Sequence, residues 1–149
     1  LGGDPSDYLN ADGTGIKDLP LYKTRAKNQA LSLGLVEVDF SKIPNINMTR
    51  QVYAPYAAPS VVEGLTALGQ ALRSPINVSG LYRTPAYNSA ISSTHKTGPH
   101  TKGKAVDVSG ASKQIVLQLL STTDPSVIEQ KFGIVQALDE GDHLHLRFK

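Results

Sequence analysis

The segment Gly98-Pro-His-Thr-Lys-Gly-Lys-Ala-Val-Asp107 places a histidine, His100, seven positions before an aspartate, Asp107. Near the end of the chain, the segment Asp142-His-Leu-His145 adds a His-x-His pair. Two imidazoles and one carboxylate are a usual ligand set for a catalytic zinc ion, whose fourth position stays open to water. The two segments together therefore predict a metal site formed by His100, Asp107 and a histidine of the terminal pair.

Each of these residues also has an ordinary structural explanation. Alternate residues of a strand share one face, so His143 and His145 would also fit an exposed polar face of an edge strand. Asp107 has apolar neighbours that predict burial, and a salt bridge or a helix cap would equally satisfy its carboxylate. Taken together, the pattern uses three of the four histidines in the chain. The remaining one, His95, is interpreted as a residue of a loop or of the substrate groove rather than as a ligand.

Length and composition indicate one globular domain without a strong electrostatic bias. A chain of 149 residues, of which 40% are hydrophobic and 19% charged, can bury a core of its own. The net charge of +2 and the absence of a Lys/Arg run give no support to nucleic-acid binding. The absence of cysteine excludes disulfides and thiolate metal ligands. No apolar run approaches the roughly 20 residues that span a bilayer.

Periodicity and turn residues predict short helices and strands after an irregular segment over residues 1–20. The predicted helices cover residues 21–33, a stretch from Pro59 to Ser74, and residues 86–91, 112–120 and 125–131. The predicted strands cover residues 36–40, 76–82, 105–109, 134–138 and 143–148, with a hairpin turn at Glu140-Gly141 between the last two. Residues 41–57 are predicted to form a surface loop and residues 92–103 a polar loop. This order predicts an α+β fold with a small antiparallel or mixed sheet and helices packed on one side.

Three motifs, in this order, resemble those of the zinc D-Ala-D-Ala peptidase family. The first is a strand that ends in Ser-Gly and is followed by Arg-Ser/Thr-Pro and Tyr-Asn, found here as Ser79-Gly-Leu-Tyr-Arg-Thr-Pro-Ala-Tyr-Asn88. The second, Ser-x-His-x-x-Gly-x-Ala-x-Asp, matches the segment that ends at Asp107, with Gly98 in place of the serine. The third is an acid near a His-x-His on the last strand.

The resemblance covers about residues 58–149 and implies a fold as well as a chemistry. The family also contains the vancomycin-resistance dipeptidases, the phage L-alanyl-D-glutamate endolysins and the hedgehog signalling domain. The implied fold is that of hedgehog and the D,D-peptidases, with a zinc peptidase core over residues 58–149. Residues 1–57 would then be an N-terminal arm with one helix, packed on the core or preceding it. Because the chain begins at Leu1 without a methionine, we also expect a processed form or a piece of a longer polypeptide.

The resemblance also implies a role for each candidate site residue. His100, Asp107 and His145 would hold Zn²⁺, with water in the open position. Arg83 would bind the scissile carbonyl or the charge that develops on it, and the alternative for Arg83 is a salt bridge to a nearby acid. His143 would stabilise the tetrahedral intermediate.

The general base is predicted to be Asp142, because one branch of the family places its acid three residues before the last ligand. The branch with His-x-His places the acid further upstream, near Asp139 or Glu140. Asp142 and His145 have opposite parity along the strand, so this choice requires a twist or a bulge between them. An aspartate is also one methylene shorter than the more usual glutamate.

The function implied is that of a zinc metallopeptidase that cleaves a peptide bond in peptidoglycan stem peptides, as a carboxypeptidase or an endopeptidase. The alternative is a non-catalytic zinc-containing binding or structural domain of the same fold. We expect a monomer with a peptidoglycan peptide as its partner, no nucleic-acid partner and no membrane span. The expected location is the bacterial cell envelope or the secreted fraction, or a phage-encoded protein that acts on the cell wall.

Overall fold

A computed structural model describes residues 3–12, 14–91 and 98–149. Its helices are α1 (Leu19–Ser32), α2 (Pro59–Ala71), α3 (Pro85–Ile91), α4 (Lys113–Ser121) and α5 (Pro125–Val127). Its strands are β1 (Val36–Glu37), β2 (Ile46–Met48), β3 (Tyr56–Ala57), β4 (Ile76–Gly80), β5 (Ala105–Ser109), β6 (Ile134–Asp139) and β7 (His143–Phe148). The predicted α+β class is confirmed.

One mixed sheet of five strands carries the architecture. Its order is β2-β4-β5-β7-β6, with β2 parallel to β4 and every other pair antiparallel. The two central strands β5 and β7 pair along their length, so that Asp107 lies opposite His145 and Val108 opposite Leu144. The short strands β1 and β3 form a separate antiparallel pair.

The alternation of side chains divides the sheet into an apolar face and a polar face. Helix α2 packs against β7 and helix α4 against β4. The side chains that face this way are fully or almost fully buried: Val78, Val106, Val108, Leu144, Leu146 and Phe148. The residues between them in sequence project to the opposite face, and they include Asp107, His143 and His145. The alternation of apolar and polar residues that forms the core therefore also places the candidate site residues on one face of the sheet.

The prediction of a surface loop over residues 41–57 is wrong in part. Ile46–Met48 form the edge strand β2, which pairs in parallel with Ile76–Val78, and Ile46 is buried. Asn45 leads into this strand with a φ of 61° and donates through its side-chain amide to the carbonyls of Gly69 and Leu72. The sheet thus includes residues on both sides of the boundary drawn after residue 57.

Two further elements differ from their predicted lengths. The strand predicted over residues 36–40 is only Val36–Glu37, because Asp39 caps a 3-10 turn over Phe40–Lys42. The helix predicted over residues 125–131 becomes π-helical from Ile128 to Phe132 and ends at Gly133, which has a φ of 72°.

A cluster of tyrosines attaches helix α1 to the segment that follows β4. The ring of Tyr22 makes edge contacts with those of Tyr8 and Tyr87, at centroid distances of 5.4 and 5.0 Å. The Tyr22 hydroxyl accepts a hydrogen bond from the amide of Thr84, at 3.4 Å. Burial raises the pKa of Tyr22 well above its ordinary value, so this hydroxyl stays protonated. The N-terminal residues therefore support the backbone directly after Arg83.

Gly64 offers a test of how closely α2 approaches the π-helical turn. A Cβ at this position would lie 2.2 Å from the carbonyl oxygen of Phe132, a backbone atom that cannot move away alone. Alanine normally stabilises a helix interior by about 1 kcal/mol relative to glycine. We expect Gly64→Ala to reverse that sign and to lower the free energy of unfolding by about 1–3 kcal/mol through overpacking. Urea denaturation would measure the free energy of unfolding, with Gln70→Ala on the exposed face of α2 as the control. A stabilised Gly64→Ala variant would contradict this packing.

Candidate metal centre

The carboxylate of Asp107 is the centre of the polar face. Asp107 is only 3% exposed in the middle strand of the sheet. Its Oδ1 atom lies 3.1 Å from Nε2 of His100 and 3.2 Å from Nδ1 of His145. Its Oδ2 atom accepts a hydrogen bond from Nη2 of Arg83, at 2.9 Å. Each oxygen therefore has its own partners, and one oxygen faces both imidazoles.

The sheet and one tight turn bring the three residues together. Asp107 and His145 are directly paired across β5 and β7, so their side chains rise side by side from the same face. His100 lies in the 3-10 turn Pro99–Lys102, which ends at Gly103 with a φ of 69°. A non-glycine residue rarely adopts that conformation. The glycine therefore allows the chain to turn from His100 into β5 within a few residues.

A hydrogen bond to the backbone fixes the orientation of the His100 ring. Its Nδ1 atom donates to the carbonyl oxygen of Leu81, at 2.8 Å. Histidines that bind metals usually donate their second ring N–H to a carbonyl or carboxylate in this way. The bond directs Nε2 of His100 toward Asp107 and His145.

A glycine makes room for the Arg83–Asp107 ion pair. Gly80 lies opposite Asp107 in the β4–β5 pairing, at a shift in register. A Cβ on Gly80 would lie 2.7 Å from Nη2 of Arg83 and 2.7 Å from Oδ2 of Asp107. The predicted Ser-Gly motif thus has a steric reason, since only glycine leaves space for this pair.

The surroundings of Asp107 favour its charged form. Burial raises the pKa of its carboxyl, but hydrogen bonds from His100 and His145 and the charge of Arg83 outweigh burial and hold the pKa well below the usual range. Asp107 therefore presents a negative charge to the two imidazoles.

The donor set fits a zinc ion. One ligand atom from each of His100, Asp107 and His145 can be chosen so that all lie within 4.8 Å of one another. Two ligands placed 2.0–2.2 Å from one ion at a tetrahedral angle would be about 3.3–3.6 Å apart. The observed separations of 3.1 and 3.2 Å from Asp107 Oδ1 require only small movements to reach that geometry. Two nitrogens and one carboxylate oxygen are also the ligand types of catalytic zinc.

The three candidate acids occupy different positions. Glu140 is the residue whose carboxylate faces the cluster: its Oε1 atom lies 3.3 Å from Nε2 of His143 and 3.8 Å from Nδ1 of His145. Asp139 instead accepts hydrogen bonds from the Lys113 ammonium at 2.9 Å and from the amide of Gly141 at 3.0 Å. These contacts lower the pKa of Asp139 and assign it to the hairpin rather than to the cluster.

Strand parity explains this separation. Leu138 pairs with His145 and Asp139 with Leu144, so Asp139 points toward the helices and Glu140 toward the site. The amide of Glu140 donates to the carbonyl of His143, which closes the hairpin around Gly141, whose φ is 90°. Of the three acids, Glu140 is the one with a carboxylate oxygen within 3.8 Å of a proposed ligand nitrogen.

Asp142 forms a hydrogen bond with His143 and lines the cleft that Asp107 and His143 also line. Nδ1 of His143 donates to Oδ1 of Asp142, whose side chain is 89% exposed. Nε2 of His143 lies 3.8 Å from Oδ1 of Asp107. Partial burial lowers the pKa of His143, but the bond to Asp142 and the charges of Asp107, Asp142 and Glu140 outweigh burial and raise it. Among the described residues, His145 pairs with Asp107 and Glu140, whereas Asp142 pairs with His143.

Two clefts meet at the cluster. One, of about 400 Å³, is lined by His100, Asp107 and His145 and continues toward Glu140, Leu138 and Arg147. The other, of about 450 Å³, runs from Asp107 and His143 toward Gln51, Tyr53 and Tyr87. Arg83 lines both. Sequence reasoning did not identify Gln51 and Tyr53, which lie outside the three motifs. His95 lies outside the described residues.

The comparison with known families supports the resemblance. A family model described as Peptidase M15 matches residues 27–146, which is well over half of the chain. The matched region begins 31 residues before residue 58, where the three motifs alone had set the start of the resemblance. No curated protein and no solved structure gives a significant match. Within the described ranges, no helix is long and apolar enough to cross a membrane.

Gly80→Ala tests the steric support of the cluster. The added methyl must displace the Asp107 carboxylate or the Arg83 guanidinium. Loss of a residue that orients a metal ligand typically weakens metal affinity by about 10–100-fold. We expect a loss of that size for Gly80→Ala in competition with a chromogenic chelator. Asn77→Ala, on an exposed side chain of the same strand, should bind zinc as the wild type does. Unchanged affinity in Gly80→Ala would show that the ion pair does not position Asp107.

Proposed function

We propose that this protein cleaves peptide bonds in peptidoglycan stem peptides at the centre formed by His100, Asp107 and His145. The chain belongs to the peptidase M15 family, whose members are zinc-dependent metallopeptidases. The observation that carries the proposal is the convergence of these three side chains at the junction of two clefts. A zinc ion held there supplies Lewis-acid chemistry, since it polarises a carbonyl and activates water. The remaining tasks fall to side chains of this protein.

Glu140 is the general base in this proposal. Its carboxylate lies on the cluster side of the β6–β7 hairpin, within 3.8 Å of a proposed ligand nitrogen, so it can take a proton from a water at the centre. The longer glutamate side chain reaches this position from the end of β6, whereas the carboxylate of Asp142 is hydrogen-bonded to Nδ1 of His143.

His143 and Arg83 are placed to stabilise negative charge on the substrate. The raised pKa of His143 favours the protonated ring, in which Nε2 donates a hydrogen bond into the site while Nδ1 is held by Asp142. Arg83 uses one nitrogen to hold Asp107, and it lines both clefts. We infer that Arg83 both orients Asp107 and presents its charge to the scissile carbonyl, so the two roles considered for it are compatible.

The two clefts favour cleavage within a peptide over removal of a terminal residue. Each cleft has a volume within the range of about 300–1,000 Å³ that is common for ligand pockets. A substrate bound across the centre would place residues on both sides of the scissile bond. We propose the cell wall as the place of action, which follows from the choice of substrate, and a monomer as the active form, since one chain supplies all three proposed ligands.

The first test measures zinc and hydrolysis together. We expect one zinc per chain by metal analysis and zinc-dependent release of peptides from purified peptidoglycan by mass spectrometry. His145→Ala removes one of three ligands and should lose both the metal and the activity, with the core largely intact. Zinc bound without cleavage of peptidoglycan from several sources would instead support the non-catalytic alternative. Retention of zinc by His145→Ala would overturn the ligand assignment.

The second test distinguishes the three acids. We expect Glu140→Gln to keep zinc and to lose about 10²–10⁴-fold in kcat, which is the usual contribution of a general base. Asp142→Asn should lose less, because it changes the orientation and charge of His143 alone. Asp139→Asn should mainly affect the stability of the hairpin. A full loss in Asp142→Asn with an active Glu140→Gln would return the role of the base to Asp142.

A further inference from the structure

Arg147 is a cation in the cleft that contains the proposed zinc ligands. It lies two residues after His145 on β7, so its side chain leaves the sheet on the same face as His143 and His145. The 400 Å³ cleft that includes His100, Asp107 and Glu140 is also lined by Arg147. Two residues of a strand span about 7 Å. Arg147 therefore lies within roughly the length of two peptide residues of the proposed metal centre.

The guanidinium of Arg147 is held in place without being neutralised. Its Nε atom donates to the side-chain oxygen of Gln136, its cross-strand neighbour on β6, at 3.3 Å. Among the described residues, no carboxylate forms an ion pair with Arg147, in contrast to Arg83 and Lys113 in the same region. The bond to Gln136 engages the inner nitrogen, and no described residue forms an ion pair with the two outer nitrogens of this cleft-lining side chain.

We propose that Arg147 is a specificity-determining residue that binds a carboxylate of the substrate peptide. The planar guanidinium can donate two parallel hydrogen bonds to a carboxylate, which gives direction as well as charge complementarity. The proposal rests on the proposed function, since it concerns which peptides the same centre accepts. The carboxylate has two possible sources: the end of the peptide chain, or an internal carboxylate such as the one that a γ-linked D-glutamate leaves free.

The test uses four versions of one stem pentapeptide, with the terminal and the internal carboxylates free or amidated separately and together. Two readouts are measured on zinc-loaded protein: kcat/KM with the wild type, and Kd with the Glu140→Gln variant by calorimetry. Each is repeated with Arg147→Gln, with Arg147→Lys, and with Arg73→Gln as a control. Arg73 is also exposed, but it lines a different cavity, between α2 and α4.

We expect amidation of one carboxylate to weaken binding to the wild-type protein by about tenfold or more, since even one hydrogen bond between charged groups contributes that much. Arg147→Gln should bind the acidic peptide, the version with both carboxylates free, about tenfold more weakly than the wild type does. Amidation of that peptide should then cause no further loss of affinity. Arg147→Lys should keep part of the preference, and Arg73→Gln should keep all of it. Whichever amidation abolishes the preference identifies the source of the carboxylate.

Two results would overturn the proposal. One is a preference for the acidic peptide that survives in Arg147→Gln. The other is an equal loss for acidic and fully amidated peptides, which would make Arg147 a structural partner of Gln136. If the wild type binds with an Arg147-dependent preference but cleaves none of the four peptides, then the proposed hydrolysis fails while carboxylate recognition stands.

Discussion

The carboxylate of Asp107 is the constraint around which the polar half of this protein is arranged. A charge in the middle of a sheet is costly unless both oxygens are paired, because burial removes its water. Here Arg83 satisfies one oxygen and two imidazoles face the other. Each partner imposes its own condition on the chain: Gly80 must lack a side chain, Gly103 must adopt a positive φ, and Leu81 must leave a carbonyl for His100. A single buried acid thus accounts for four other fixed positions of the first two motifs: Gly80, Arg83, His100 and Gly103.

The apolar face of the sheet determines how the strands that carry these residues are paired. Val106, Val108, Leu144 and Leu146 are buried beneath helices, and burying each such side chain stabilises the fold by about 1.5–3 kcal/mol. A shift of β7 by one residue relative to β5 would turn Leu144 and Leu146 to the polar face, so the register is strongly determined. The same register places Asp107 opposite His145. Ligand geometry and core packing are therefore two consequences of one alternating pattern.

Much of this could be predicted from the sequence because it depends on local period and on motif order. Strands β5 and β7 have the predicted bounds, and the three proposed ligands converge as the motifs imply. The choice among the acids was harder, because it depends on where the last hairpin turns. Counting residues back from His145 favoured Asp142, but the turn at Gly141 places Asp142 outside the strand and Glu140 opposite His143. Parity along β6, counted from its pairing with His145, is the signal that separates Glu140 from Asp139.

The N-terminal third was the least predictable part, for a physical reason. Strand β2 has three residues, too few to show a period, and its partner β4 lies about 30 positions later in the chain. The tyrosines that attach α1 to the site are likewise long-range partners, and only the fold brings Tyr22 to Thr84. The family match begins at residue 27, within α1, so it includes the part of this segment that follows residue 26. The segment also supplies Gln51 and Tyr53 to one of the two clefts. The candidate metal centre thus consists of residues from the C-terminal motifs, while residues that carry no motif line part of the adjoining cleft.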